Sequence, residues 1–442
     1  MEPKKTLFNV LPLLLFVFSI IFFAFGFGYL TATQRWFPYY HIESGRRYAD
    51  QLLHKRSELP WYYQPTNQTQ KVSICQPENM APGLTIFSCI NDKKTSSIKV
   101  IEPDGKIVHE WEIDWFKVWP NATHIPEQLV PQSRPGTHIH GFVMLDNGDL
   151  VFNFTEIGLV RMDMTGKVIW RLPYCTHHSV NLDSDGYIWV CGKRHYQDQP
   201  LKEYPYLRPP VEVPTILQVS PDGDIVREIL VPDVMRKNNL EGLLLMSSVA
   251  RWDVYATKNF INMNEIEVFP RSMQEGVFHH GDILISLRNI HTVMIIDPET
   301  LMVRYIKTGG VIRHHDPDFI DGNTLSIFDN NNVENESGPK FSKIVLLDAL
   351  TGTITEHYRG TPEHPFFTAI MGAHQWLPNG NVLITEAVSG RIFEIDPDGN
   401  TVWEYHNILG DGYTGIIEIA YRLQPKFNEA FFNNYETTVD GH

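Results

Sequence analysis

The chain has 442 residues and a formal charge of −15, from 37 Lys and Arg against 52 Asp and Glu, with no basic block. That balance argues against nucleic acid as a partner. The four cysteines, Cys75, Cys89, Cys175 and Cys191, include no C-x-x-C pair, which argues against a structural zinc site.

The first predicted element is a helix. Leu7–Leu30, LFNVLPLLLFVFSIIFFAFGFGYL, runs 24 residues without a charge, and about 20 apolar residues cross a hydrocarbon core. The run is too long for the apolar region of a cleaved signal peptide, and no A-x-A-like site follows it. The sequence therefore predicts an uncleaved, single-pass anchor through the membrane, with Pro12 tolerable near its start. Lys4 and Lys5 precede the run and Arg35, Arg46 and Arg47 follow it, so the positive-inside rule does not choose an orientation. A short cytosolic tail, with the remainder on the extracytoplasmic side, is the preferred expectation. Residues 1–30 then form tail and anchor, and residues 31–82 a juxtamembrane neck, helical across Ser44–Glu58.

Residues 83–442 carry a repeat. A strand, a turn and a second strand recur as VIEPDGKIVHEW (100–111), RMDMTGKVIW (161–170), QVSPDGDIVREI (218–229), IIDPETLMVRYI (295–306), LLDALTGTITEHY (346–358) and EIDPDGNTVWEY (394–405). The turn positions Gly105, Gly166, Gly223, Thr300, Gly352 and Gly399 lie 47 to 77 residues apart. A repeat of this size made of short strands is the signature of a β-propeller. Each later unit begins with a second hairpin signal, an Asx/Gly turn and a buried strand: LDNGDLVFN at 145–153, LDSDGYIWV at 182–190, GDILISL at 281–287, FIDGNTLSIF at 319–328 and LPNGNVLIT at 377–385. The first unit, LTIFSCIN at 84–91, lacks an innermost strand, which Gly415–Leu423 can supply to close the ring. The expected fold is an all-β, six-bladed propeller behind one N-terminal transmembrane helix. Its Pro-Asp-Gly turns lack EF-hand ligand spacing and read as turns. Trp111, Trp170 and Trp403 read as packing between blades. Cys175 and Cys191 flank one strand, and both a bridge and two buried thiols remain open. Asn67, Asn121, Asn153 and Asn335 head glycosylation tripeptides.

The innermost strands of a propeller converge on one funnel. The segments entering them read His138-Ile-His140, Cys175-Thr-His177-His178, Asn259-Phe-Ile-Asn262-Met-Asn264, Arg313-His314-His315-Asp316 and Gly372-Ala-His374-Gln375. Four of the five carry histidine, the other asparagine. Arg288 ends ILISLR on the strand after Asn262. Singly, each histidine is as well explained by a hydrogen bond to the next blade. Together they offer neutral nucleophiles, proton donors and one permanent cation, which suits transfer of an anionic group. Three histidines with a carboxylate such as Asp316 would equally suit a metal.

The runs HHDPDFIDGNTLSIFDN (314–330), ILISLRNIHTVMIID (283–297) and GAHQWLPNGNVLITEAVSGRIFEIDPDGNTVWEY (372–405) resemble the arylsulfotransferase family. The resemblance covers roughly residues 83–423. It implies a six-bladed propeller that moves a sulfuryl group from an aryl sulfate ester to a phenolic acceptor, independently of the nucleotide donor PAPS, with no metal and no cofactor. The family's sulfated histidine falls on His315, its funnel arginine on Arg288 and a further catalytic histidine on His178. His177, Asn262, Asn264, His314, His140 and His374 are then the expected substrate contacts. The family's His-x-Asn motif reads Asn262-Met-Asn264 here. Asn262 can donate a hydrogen bond but cannot shuttle a proton at neutral pH, and His140 and His374 are the candidates to compensate. The sequence carries no G-x-x-x-x-G-K-[ST] or G-x-G-x-x-G loop for a nucleotide phosphate. Two other readings stand beside this one. A non-catalytic binding propeller is favoured by Asn262, and a metal-dependent enzyme would use the same histidine ring. Homodimerisation is left open.

Overall fold

The alternation of short apolar strands and tight turns folds into six antiparallel sheets around one axis in the computed structural model, which describes residues 4–34, 60–125, 130–198, 201–247, 255–333 and 340–433. The expected helix at Ser44–Glu58 lies outside these residues. Lys4–Gln34 is one helix with Pro12 inside it. Its Val10–Thr31 segment has mean hydropathy 2.7 and no burial, and is long and apolar enough to cross a membrane.

Blades 2 to 5 each have four strands that run outward from the axis in chain order, and blade 3 adds a fifth, Ala256–Lys258, parallel to Leu207–Val219. The innermost strands are Ile139–Met144 in blade 2, Thr176–Leu182 in blade 3, Met263–Val268 in blade 4 and His315–Phe319 in blade 5. Blade 6 begins with Ala373–Trp376. Blade 1 is assembled from both ends of the propeller: Ile417–Arg422 is its innermost strand and pairs with Thr85–Ile90, as the closure argument expected. The six repeated turns join the third and fourth strands of the six blades. Part of the stretch expected to form a neck is built into the ring. Val72–Cys75 pairs with Thr401–His406 as a fifth strand of blade 6, and Tyr63–Pro65 pairs with Tyr413–Gly415.

The tryptophans join neighbouring blades. Their rings fill the space between sheets, and each indole N–H donates to a backbone carbonyl in the outer turn of the next blade. Trp111 reaches Asp163 at 3.1 Å, Trp170 reaches Pro221 at 2.9 Å and Trp403 crosses the closure to Pro103 at 2.7 Å. The turn aspartates are used locally. The Asp396 carboxylate, for example, accepts from the backbone N–H of Asp398 and Asn400, an Asx turn rather than a calcium loop. All four cysteines are free thiols, and Cys191 is fully buried in the core between blades 3 and 4.

A strand alternates its side chains, so only every second residue should face the axis. Five of the six innermost strands break that rule with a register shift. The shifts fall between Ile139 and Gly141, His177 and Val180, Met263 and Glu265, His315 and Asp318, and Ile417 and Ala420. A bulge inserts an extra residue and re-aims it. The residues inside the five shifts include His140, His178, Asn264, Asp316 and Glu418, and all five line the same cavity. His178 and Asp316 take left-handed backbone, with φ 54° and 48°, a conformation that is strained for L-residues.

Gly141 completes this device. A Cβ there would lie 2.2 Å from the His178 carbonyl oxygen and 2.9 Å from the Ser179 Cα, so blades 2 and 3 touch backbone to backbone. Gly141→Ala should lower the unfolding free energy by about 2–3 kcal/mol, measured by denaturant titration. An unchanged midpoint would show that the two strands separate at no cost. Asn153 also serves this seam. It is fully buried, and its side-chain amide donates to the His178 carbonyl. Its tripeptide therefore serves packing and is closed to glycosylation in the folded protein. Asn67 and Asn121 are exposed, and Asn335 lies outside the described residues.

Candidate active site

The bulged strands border a narrow cavity of about 30 Å³ lined by His140, His178, Asn264, His315, Asp316 and Glu418, with Met371–Ala373 beside them. His315 comes from blade 5. Its Nδ1 lies 2.6 Å from Asn330 Oδ1. The Asn330 amide is fixed in that orientation, because its NH₂ donates to the carbonyls of Thr368 (3.0 Å) and Met371 (2.7 Å). Only oxygen can therefore face the ring, so Nδ1 carries the proton and Nε2 carries the lone pair. Burial first, and the Arg288 charge second, push the imidazole down to about 3; the Asn330 hydrogen bond opposes this without offsetting it. His315 is thus a neutral, oriented ring with a nucleophilic nitrogen.

Asn330 lies in the Phe-Asp-Asn run of the sequence but was not singled out there, because the geometry that makes it matter is 15 residues away along the chain. Asn330→Ala should slow any chemistry at His315 by about 100-fold through loss of the tautomer and ring plane, read as kcat with little change in KM. An unchanged kcat would remove Asn330 from the account.

His178 stands beside this ring, with centroids 6.5 Å apart, and His140 packs on its other side at 4.1 Å. His177 and His178 are joined Nδ1 to Nδ1 at 2.7 Å. One of these nitrogens must donate and the other accept, so the pair shares a mobile proton. Burial is the main cause holding both rings, and His140, well below the ordinary imidazole range. Of this pair only His178 lines the cavity.

The other expected residues are spread more widely. Arg288, in the turn after Ile283–Leu287, is 9% exposed and close enough for its charge to depress both His314 and His315. Asn264 lines the cavity and donates to the His314 carbonyl at 3.0 Å. His314 is fully buried and outside the cavity wall. Asn262 is turned toward its own loop, where its side-chain oxygen accepts from Asn259 at 3.1 Å. His374 lies on the far side of Asp316. Its Nδ1 meets Asp316 Oδ2 at 2.9 Å and its Nε2 meets Ser326 Oγ at 2.5 Å. Asp316 is thereby committed to His374 rather than to the His315 ring beside it in sequence.

Below Asp316 the channel turns acidic. Glu265, Glu267, Asp318, His374 and Tyr421 line a second cavity of about 390 Å³. Burial, reinforced by their mutual repulsion, raises Glu267 to about 8 and Asp318 well above the carboxylate range. The histidine cavity is bordered by carboxyl groups as well, Glu265, Asp316 and Glu418, and the cation near it is Arg288, whose charge acts on His315. Glu418 had not been singled out in the sequence. On the closing strand it holds the bulge position that His140, His178, Asn264 and Asp316 hold in other blades, and only the ring closure reveals that equivalence.

A family model described as arylsulfotransferase (ASST) matches residues 141–408, which span blades 2 to 6. No curated protein matches the chain. Among solved structures, a protein of unknown function from Bacteroides caccae is similar at 13% identity, with 77% of this chain and 98% of that chain covered and a TM-score of 0.47. A catalytically inactive virginiamycin B lyase from Staphylococcus aureus, solved with quinupristin, is similar at 14% identity (78% and 88% covered, TM-score 0.35). So is a β-propeller domain from Myceliophteria thermophila, at 9% identity (79% and 99% covered, TM-score 0.40). The family match takes in His178, Arg288, Asn330 and His315 and more than half of the chain, and the protein belongs to the arylsulfotransferase family.

Proposed function

We propose that the protein is a membrane-anchored arylsulfotransferase that works by double displacement at His315, without a nucleotide sulfate donor. The observation that carries this reading is the Asn330–His315 hydrogen bond in a buried, cation-flanked cavity, which leaves an uncharged Nε2 lone pair. In the first step Nε2 attacks the sulfur of an aryl sulfate. The N–S bond forms, the S–O bond to the ring breaks and the phenol oxygen leaves with the bonding pair. Arg288 and the His178 ring stabilise the charge on the remaining sulfuryl oxygens. In the second step the oxygen of an acceptor phenol attacks the sulfur, the N–S bond returns its electrons to His315, and the acceptor proton passes to His178. The His177–His178 pair suits both steps. With the proton on His177 Nδ1, His178 presents an Nε2–H donor; with it on His178 Nδ1, His178 presents a base. Asn264 and His140 border the bound group, and neither step calls on Asn262. The Val10–Thr31 helix supports a membrane anchor, and the extracytoplasmic side is the proposed place of the propeller.

The test is acceptor-dependent release of a chromogenic phenol by the full-length protein, with an aryl sulfate and no nucleotide. Because His315 is held at about 3, the sign of its pH dependence follows. The nucleophile is neutral above that value and is lost only as pH falls through it. The rate of the first phenol burst should change less than about two-fold from pH 8 to pH 5, where an ordinary histidine of pKa 6.5 would lose about 30-fold. No release from any aryl sulfate by a folded sample would sink the reading.

A further inference from the structure

Three ligand-type side chains converge where the ring closes. His138 and His140 stand at the start of blade 2, and Glu418 stands on the closing strand of blade 1. His138 Nε2 lies 3.8 Å from Glu418 Oε1, and His140 Nε2 lies 4.0 Å from Oε2. Both separations are too long for hydrogen bonds. The Glu418 side chain is 1% exposed, and neither of its oxygens has a hydrogen-bond partner among the described residues. A carboxylate buried with nothing to accept from is costly, and proteins normally neutralise such a group with a proton, an ion pair or a metal. Here it faces two imidazole nitrogens, and the three ligand atoms lie within 4.8 Å of one another.

We propose that His138, His140 and Glu418 form a binding site for one zinc-class divalent transition-metal ion. Two imidazoles and one carboxylate favour such ions over magnesium or calcium, which prefer oxygen. Metal–ligand bonds of about 2.0–2.2 Å set a tetrahedral ligand spacing of about 3.4 Å. With the three ligand atoms within 4.8 Å of one another, they need to close by up to about 1.4 Å. The two histidine side chains are 18% and 13% exposed and have room to make that movement. Three protein ligands leave a fourth position for water or a substrate hydroxyl, and two of the three, His140 and Glu418, line the cavity with His178 and His315. The other histidine–carboxylate cluster, Asp316, Asp318 and His374, is a poorer site, because both nitrogens of His374 are already hydrogen-bonded.

The inference does not rest on the transfer reading, since metal binding is measured without turnover. Because Glu418 lies on the closing strand and both histidines on the next blade, the ion would also fasten the closure and raise the unfolding temperature. The experiment strips full-length protein in detergent with EDTA and titrates it with Co²⁺, following the visible d–d absorption, and with Zn²⁺, following heat and thermal unfolding. One ion per chain is expected at micromolar affinity or tighter, with a Zn²⁺-dependent rise in unfolding temperature. Glu418→Gln, which preserves volume, and His140→Ala should each weaken binding by at least about 100-fold, while Asp318→Asn should bind as the wild type does. If Glu418→Gln fails to fold, His138→Gln at the more exposed rim carries the same test. Failure of the wild-type protein to take up Co²⁺ at millimolar concentration would overturn the proposal. So would unchanged affinity in the folded Glu418 or His138 variant, or loss of binding in Asp318→Asn.

Discussion

Replacing His315 by alanine should lower sulfuryl transfer by about four orders of magnitude or more, to the level left by binding and the remaining donors. The size of the effect follows from chemistry. Without the ring there is no intermediate, and the acceptor phenol would have to displace the donor phenol directly, with both held in line on the sulfur at once. The fold should survive, since His315 contributes one side-chain hydrogen bond to Asn330, and Asn330 keeps its own bonds to Thr368 and Met371. Circular dichroism and the unfolding midpoint should therefore stay near wild type while both half-reactions vanish. Retained phenol release with lost acceptor dependence would assign His315 to the second step alone, contrary to the proposal.

Arg288→Ala carries the second largest expected effect, a loss of about 100- to 1000-fold in kcat, the usual consequence of removing a charged donor from a developing anion. Arg288→Lys should recover only part of it, because an ammonium lacks the planar fork that spans two oxygens. The same variant makes a signed pH prediction. The Arg288 charge is the second cause of the depressed His315 imidazolium, so its removal raises the His315 pKa from about 3 toward the ordinary value. The acid limb of the pH–rate profile should move toward neutrality in Arg288→Ala and stay low in Arg288→Lys. A variant with full activity and an unmoved profile would exclude Arg288 from the site.

The fold was largely legible because propeller repeats are local. Each Pro-Asp-Gly or Asx turn sits between its own strands, and the closing role of Gly415–Leu423 followed from one missing strand. The histidines that recur at one address, His140, His178 and His315 among them, line one cavity. What sequence left open was which neighbour in His177–His178 and His314–His315 turns inward. Period-two alternation cannot answer that, because register shifts at five innermost strands change the count. His178 and His315 line the cavity at these shifts, and His177 and His314 do not. Asn330 and Glu418 were invisible for a different reason. Their meaning lies in partners one hairpin or one ring closure away, so the Phe-Asp-Asn run around Asn330 marks the family without giving the residue's role, and nothing flanking Glu418 marks it. Asn262 shows the converse: prominent as a departure from the family motif, it folds back on Asn259 at the rim.

The most direct test of a covalent route is to mix the protein with an aryl sulfate in the absence of acceptor, quench within the first turnover under alkaline conditions, and locate the added sulfuryl group by peptide mass spectrometry. The account predicts one label, on His315, that disappears when a phenol is added before the quench. A label on another residue, or no label while transfer to phenol proceeds, would contradict it.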